Sequence, residues 1–276
     1  MIRKAVIPAA GLGTRLLPVT KELPKEMLPI FFKHDNEVHL KPMLQAVFEQ
    51  LYDAGFREFG FIVGRGKRAI EDHFTVDETF VEYIKNINKS MLADRLEDFY
   101  EKLRNSTIIF MNQPKPKGFG DAVYKAKVFT GSEPFLLHAG DDLILSQNNT
   151  HLQRLAKVFS HYDADAVFFV EKVKDPRRYG VAIGDEIESD IFKVREVFEK
   201  PQKSMSNLAI VAVYIFKPII YHVIEKTKPD RSGEFQLTDA ISTLLNEQGR
   251  VYALKLKDNE KRIDIGTPET LSLIHI

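Results

Sequence analysis

The feature that most limits what this chain can fold into is a repeated beat: a short apolar run of strand length, then a stretch with helical periodicity. Ala5-Val6-Ile7 is followed by the helical pattern Met43, Val47, Leu51 and Ala54. Phe59 to Val63 precedes a helix over Lys67 to Phe74, and Thr107 to Phe110 precedes one over Asp121 to Phe129. Pro134 to His138 then runs into Gly140-Asp141-Asp142, and a helix over His151 to Tyr162 leads to a strand over Ala164 to Val170. Such alternation predicts an α/β fold with a mostly parallel mixed sheet flanked by helices. Between Val76 and Arg104, Tyr83, Ile87, Met91 and Leu96 stand at helical spacing and predict helices beside the sheet. After Asp175 the runs shorten to Val181 to Ile183, Lys193 to Glu199 and Ile210 to Phe216. These predict a smaller β-containing portion, closed by helices near Ile219 and Leu237 and strands near Val251 and Ile263. Neither an internal repeat nor a low-complexity linker divides the chain, so 1–276 reads as one domain.

Composition removes whole classes of function. With 44% hydrophobic and 28% charged residues the chain has globular composition, and 39 basic residues against 39 acidic ones argue against a bulk binder of nucleic acid or anionic membrane. The absence of cysteine excludes thiol nucleophiles, disulfides and Cys-ligated metals, so any metal must sit on oxygen or histidine. The eight histidines form no metal motif, and His34, His39, His151 and His161 lack nearby ligands at useful spacing. The apolar stretch after Lys4 is broken at Gly11, and the longest apolar run, Leu208 to Phe216, is far short of the roughly 20 residues a membrane helix needs. A cytoplasmic location without a membrane partner is the expectation. Phe31-Phe32 and Phe168-Phe169 read as core or interface.

In sheets of this kind ligands bind at the carboxyl ends of strands. The first such loop is Pro8-Ala9-Ala10-Gly11-Leu12-Gly13-Thr14-Arg15. Glycines there let main-chain N–H groups close around phosphate oxygens, while Thr14 and Arg15 add a hydroxyl and a bidentate cation. A simple turn would need the same glycines. The dinucleotide fingerprint fails because Leu16 stands where a third glycine is needed, and Gly64-Arg65-Gly66-Lys67-Arg68 lacks the distal glycine and following Ser/Thr of a Walker loop.

The continuation is more specific. Gly11-x-Gly13-Thr14-Arg15-Leu16-x-Pro18-x-Thr20-Lys21, then Pro24-Lys25-Glu26-Met27-Leu28-Pro29-Ile30, resembles the signature of nucleoside-diphospho-sugar pyrophosphorylases, most closely the bacterial and archaeal uridylyltransferases that act on glucose 1-phosphate. Lys41-Pro42-Met43-Leu44-Gln45, Gly64 to Phe74, Gln113 to Val123, Tyr179-Gly180-Val181, Glu199-Lys200-Pro201, Ser206 to Val211, Gly233 to Asp239 and Ile263 to Gly266 follow in family order along nearly the whole chain. The resemblance implies a Rossmann-like fold, with 1–145 mainly binding nucleotide and 146–276 mainly binding sugar phosphate. It implies UTP and glucose 1-phosphate as substrates, Mg²⁺ as cofactor and a homo-oligomer, dimer or tetramer. By the same resemblance Ala10, Gly11, Gly13, Thr14 and Arg15 hold the triphosphate, Lys25 stabilises the leaving pyrophosphate, and Gln113 and Gly118 meet the uracil. Asp141 and Asp264 hold the metal; Gly180, Glu199, Lys200 and Asn207 bind the sugar phosphate. Arg15, Lys25 and Lys200 are its catalytic cations. Asn207, Glu234 and Gln236 serve equally as ligand contacts or as braces of strands and helix starts, and Asp142 equally as a turn former.

The reaction implied is in-line attack of the sugar phosphate on the α-phosphorus of UTP. A phosphate monoester with a second pKa of about 6 needs no general base at neutral pH. Alternatives are the same chemistry with dTTP or another hexose 1-phosphate, and a non-catalytic regulator that binds nucleotide sugars. The chain departs from the family pattern by an extra loop, Phe31 to Leu40, by Ala212-Val213-Tyr214 where Gly-Arg-Tyr is usual, and by little sequence after Thr270.

Overall fold

In a computed structural model, which describes residues 2–34, 37–203 and 206–275, the expected beat becomes strands and helices in this order. The first part holds β1 (Lys4–Pro8), β2 (Pro29–His34), β3 (Glu37–Pro42), α1 (Met43–Asp53), β4 (Glu58–Val63), α2 (Arg68–His73), α3 (Glu78–Asn86), α4 (Ser90–Arg104) and β5 (Thr107–Asn112). There follow α5 (Phe119–Lys125), α6 (Lys127–Thr130), β6 (Phe135–His138), β7 (Asp142–Leu145), α7 (Thr150–His161) and β8 (Ala166–Lys172). The last part holds β9 (Gly180–Glu188), β10 (Ile191–Glu199), β11 (Leu208–Phe216), α8 (Ile219–Lys226), α9 (Leu237–Asn246), β12 (Val251–Lys255), β13 (Lys261–Asp264) and α10 (Pro268–His275).

Nine strands form one sheet in the order β5-β4-β1-β6-β11-β8-β12-β10-β9. The run β5-β4-β1-β6 is parallel, as is the pair β8–β12, while β11, β10 and β9 pair antiparallel with their neighbours. The short strands of the smaller β-containing portion extend the same sheet. Because strand side chains alternate faces, Ala5 and Ile7 enter one apolar core with α1, α4 and α7, while Val6 enters a second with α5, α8 and α9. Both faces are thus covered by helices, which is what near-continuous apolar strands require.

Two expectations change in detail. The stretch 31–40, expected as an extra loop, is a β-hairpin in which β2 and β3 pair antiparallel with Phe31 opposite Leu40 and Phe32 opposite His39; Asp35 and Asn36 lie outside the described residues. The alternation of the apolar Ile30 and Phe32, both packed in or against the core, with the exposed Phe31 supplies the two-residue period a ribbon needs. The single helix expected over 121–129 starts earlier, at Phe119, and is broken at Ala126 into α5 and α6.

Strand order reverses between β1 and β6, since β4 and β5 lie to one side of β1 and β6 to the other. Such a switch point leaves a crevice at the carboxyl ends of the two strands. The Gly140 N–H donates to the Pro8 carbonyl at 3.1 Å, so the loops after β1 and β6 lie side by side there.

Candidate active site

Gly13 has φ 66°, a left-handed conformation that costs other residues energy, and it starts the single 3-10 turn Thr14–Leu16. Its carbonyl accepts the Thr20 hydroxyl at 2.7 Å, which fastens the loop to the next segment. Ala10 is buried beneath, whereas Gly11, Thr14 and Arg15 are exposed. Lys25 reaches over this loop: a side chain on Gly11 would come within 3.6 Å of Lys25 Cε. The Lys25 ammonium forms a hydrogen-bonded ion pair with Asp141 at the end of the β6 loop. Burial alone would lower the Lys25 pKa, but Asp141, with Glu26 and Asp264 beyond it, holds it above its ordinary value. Burial likewise pushes the Asp141 carboxyl up, and Lys25 outweighs it and brings it below the usual range.

Asp264 reaches the same place from the far end of the chain. Strand β13 pairs with β7 as a small separate ribbon, with Asp264 opposite Asp142, and the Ile265 N–H donates to the Asp141 carbonyl at 3.2 Å. The Gly266 N–H holds one Asp264 oxygen at 2.6 Å. Asp142 is no turn residue: it opens β7, is 3% exposed, and receives Arg262 Nε on both oxygens at 2.9 and 2.8 Å and Nη2 on Oδ2 at 2.6 Å. Arg262 also binds Glu171 at 2.8 Å, approaches Asp264 at 3.8 Å and lies over the Tyr179 ring at 5.6 Å. Despite its burial, these carboxylates hold its pKa well above the ordinary value. With Asp142 bound by Arg262 and Glu26 by Lys67, the other carboxylates that act on Lys25 are Asp141 and Asp264. Among the described residues no group of three or more His, Asp or Glu side chains is arranged to hold a metal ion. Two carboxylates with phosphate and water oxygens are a donor set that suits Mg²⁺.

Gln113 and Gly118 are brought together on the other wall. Gln113 is buried after β5, and its Nε2 donates to the Gly118 carbonyl at 3.1 Å and to Asp121 Oδ2 at 2.8 Å. Gly118 has φ 94°, and a side chain there would meet the Phe235 backbone at 2.7 Å, so this position accepts only glycine. On the sugar side, Gly180, Glu199 and Lys200 also converge. Glu199 Oε2 accepts the Thr238 hydroxyl at 2.8 Å and would lie 3.3 Å from a side chain on Gly180, while Lys200 Nζ sits 2.8 Å from Glu199 Oε1. Lys200 has φ 40°, and its N–H donates to the Tyr179 carbonyl at 3.1 Å. Arg262, placed over the Tyr179 ring, therefore links the carboxylate cluster to the Lys200 corner. Asn207 is exposed, and its carbonyl accepts the Val173 N–H at 3.0 Å. Gln236 binds Asp230 at 2.9 Å and Glu234 at 3.3 Å, so this pair knits its own loop.

Arg262, Thr238 and the buried pair Glu26–Lys67 were not foreseen in the sequence. For Arg262 a signal existed: two residues before Asp264 on a strand, it shares that residue's face.

A mixed sheet with a glycine loop, a lysine lying over it and carboxylates at its switch point defines an α/β protein whose ligand crevice lies at the carboxyl ends of its strands, and the chain belongs to the nucleotidyl transferase family, whose profile matches residues 4–275. More particularly, it is 37% identical over 273 residues, 98% of this chain and 93% of the relative, to a UTP–glucose-1-phosphate uridylyltransferase of Pseudomonas aeruginosa. A crystal structure of a UDP-glucose pyrophosphorylase complexed with UDP-glucose superposes with TM-score 0.84 at 31% identity, covering 99% of this chain and 97% of that one. A UTP-bound enzyme of the same name from Acinetobacter baumannii gives TM-score 0.85 at 28% identity, covering 100% and 93%.

Proposed function

We propose that this chain transfers the uridylyl group of UTP to glucose 1-phosphate, giving UDP-glucose and pyrophosphate. The observation that carries the reading is Lys25 held over the Gly11 loop and against Asp141 at the switch point, within a chain alignable end to end with uridylyltransferases. The sugar phosphate, largely a dianion at neutral pH, attacks the α-phosphorus directly, so no side chain need remove a proton. The work left to the protein is alignment and charge neutralisation. Main-chain N–H groups of Gly11 and Gly13, with Thr14 and Arg15, hold the triphosphate, and Lys25 turns from Asp141 to the departing pyrophosphate. Gln113, whose Nε2 is already committed within the protein, offers its carbonyl oxygen to the uracil N3–H, and Gly118 lets the base approach the backbone. Lys200 meets the phosphate of the sugar phosphate, with Glu199, Gly180 and Asn207 toward its hydroxyls.

Asp141 and Asp264 would hold a Mg²⁺, which would supply Lewis-acid neutralisation of phosphate charge. Charge pairing favours this assignment: Asp141 exchanges one cation, Lys25, for another as the phosphates take Lys25. A cytoplasmic site of action and a homo-oligomeric state belong to the same proposal. Among the described residues no helix is long and apolar enough to cross a membrane.

The test is pyrophosphate release across a matrix of UTP, dTTP and other nucleoside triphosphates against several hexose 1-phosphates, with and without Mg²⁺. Turnover should be highest with UTP, glucose 1-phosphate and Mg²⁺ together. A folded protein that releases no pyrophosphate from any pair would defeat the proposal.

A further inference from the structure

The segment Gly64 to Arg68, which fails as a phosphate-binding loop, carries a lysine that points inward. Lys67 is 6% exposed, and its Nζ donates to Glu26 Oε2 at 2.8 Å; Glu26 itself is 1% exposed. Taking two charges this deep out of water is costly, and a well-packed apolar pair of similar volume would often be no less stable. The pair therefore asks for a reason other than stability. Its location supplies one. Glu26 follows Lys25 in a single-turn 3-10 helix, Lys25–Met27, and a side chain on Gly140, next to Asp141, would come within 3.4 Å of Glu26 Cγ. Lys67 belongs to the loop after β4, beside the carboxyl end of β1. With three residues per turn, a 3-10 turn that slips by one residue swings each side chain by about a third of a circle. One fixed side chain at its centre sets where its neighbour points.

We infer that Glu26 and Lys67 are positioning residues for Lys25: the buried ion pair pins the turn to the β4 loop and thereby aims the Lys25 ammonium across Gly11 at the phosphates. The inference rests on Lys25 being the residue that meets the leaving pyrophosphate. The Glu26 carboxylate also helps to keep the Lys25 amine charged.

The experiment compares the full-length protein with Glu26→Gln/Lys67→Met, which removes both charges at nearly constant volume, and with Glu26→Asp, which keeps both but shortens the reach by one methylene. Each is made in the native and in the Lys25→Ala background. The double variant should melt near the native temperature yet lose about tenfold to a hundredfold in kcat, with the KM for UTP changed far less, as expected for a misaimed group. In the Lys25→Ala background neither change should lower kcat further, the non-additivity of residues acting through one group. Native kcat in the double variant, or losses that multiply with Lys25→Ala, would overturn the inference. If the double variant does not fold, Glu26→Asp must show the same kcat loss in a folded protein, and native kcat there overturns it. A readout independent of turnover separates this from the functional reading. With lysines ¹³C-methylated, the Lys25 resonance of the nucleotide-free protein, identified by its absence in Lys25→Ala, should shift in the folded variants even if no substrate pair is turned over. An unmoved resonance overturns the positioning role.

Discussion

Two adjacent aspartates have different fates here, and that difference is testable. Asp141 faces Lys25 at the mouth of the crevice, whereas both oxygens of Asp142 are bonded to Arg262. Replacing Asp141 or Asp264 with asparagine should lower kcat by at least a hundredfold with little change in melting temperature. Asp142→Asn leaves a buried guanidinium short of its main counter-charge, and should cost about 3 kcal/mol or more in urea unfolding. An Asp142→Asn protein of native stability would mean that Arg262 has found another partner. The sequence made Gly11, Lys25 and Asp141 legible because glycine spacing and strand ends announce a loop that must approach phosphate. Arg262 and Glu26 were not legible, because their partners lie 120 and 41 residues away and only the fold brings them together.

At the scale of elements, two connections carry strain or buried charge cost that experiments can read. The turn into α5 depends on Gly118, where an added methyl would press on the Phe235 backbone at 2.7 Å. Gly118→Ala should therefore raise the KM for UTP severalfold and lower the melting temperature, both measurable in one preparation. His138 at the end of β6 and His151 in α7 are fully buried, with Nδ1 bonded to the Ala139 carbonyl and the Ser146 hydroxyl respectively, and among the described residues neither Nε2 has a hydrogen-bond partner. Burial holds the His138 pKa down to about 4 and that of His151 to about 3. An unfolded histidine titrates near 6.5, so below that pH the unfolded chain takes up protons that the folded one refuses. Stability should be fully present above about pH 6.5 and fall as the pH drops toward 4, by on the order of 3 kcal/mol for each histidine. His151→Gln should flatten that slope in urea unfolding between pH 7.5 and 4.5; an unchanged slope would show that the ring titrates freely. Element types were legible through period and punctuation, as at β4 and α1. The hairpin β2–β3 was hidden because its exposed face also carries apolar side chains, Phe31, Val38 and Leu40, so the sequence shows no apolar–polar alternation, and no glycine stands between the two strands.

For the molecule as a whole, chain order and sheet order disagree. Strand β11, from the second half of the sequence, lies between β6 and β8 and pairs with both. Strand β7, at the end of the first half, pairs with β13 near the end of the second. A division at residue 145 therefore names two binding regions, and we expect no independent folding unit on either side of it. A fragment 1–145 should lack the cooperative unfolding transition of the whole chain in calorimetry, and the intact protein should melt in a single step. The parallel half of this sheet was legible from the alternation of strand and helix. The insertion of β11 was not, since an apolar run carries no label for its neighbour.

The ribbon of β7 and β13 bears on the protein's life before it is finished. On the proposal that Asp264 is the second metal carboxylate, a chain still leaving the ribosome makes its glycine loop, Lys25 and Asp141 well before the other half of the site. The second carboxylate arrives with β13, which pairs back onto β7. On that proposal unfinished copies would bind a nucleotide at most, and transfer of its uridylyl group would wait for β13.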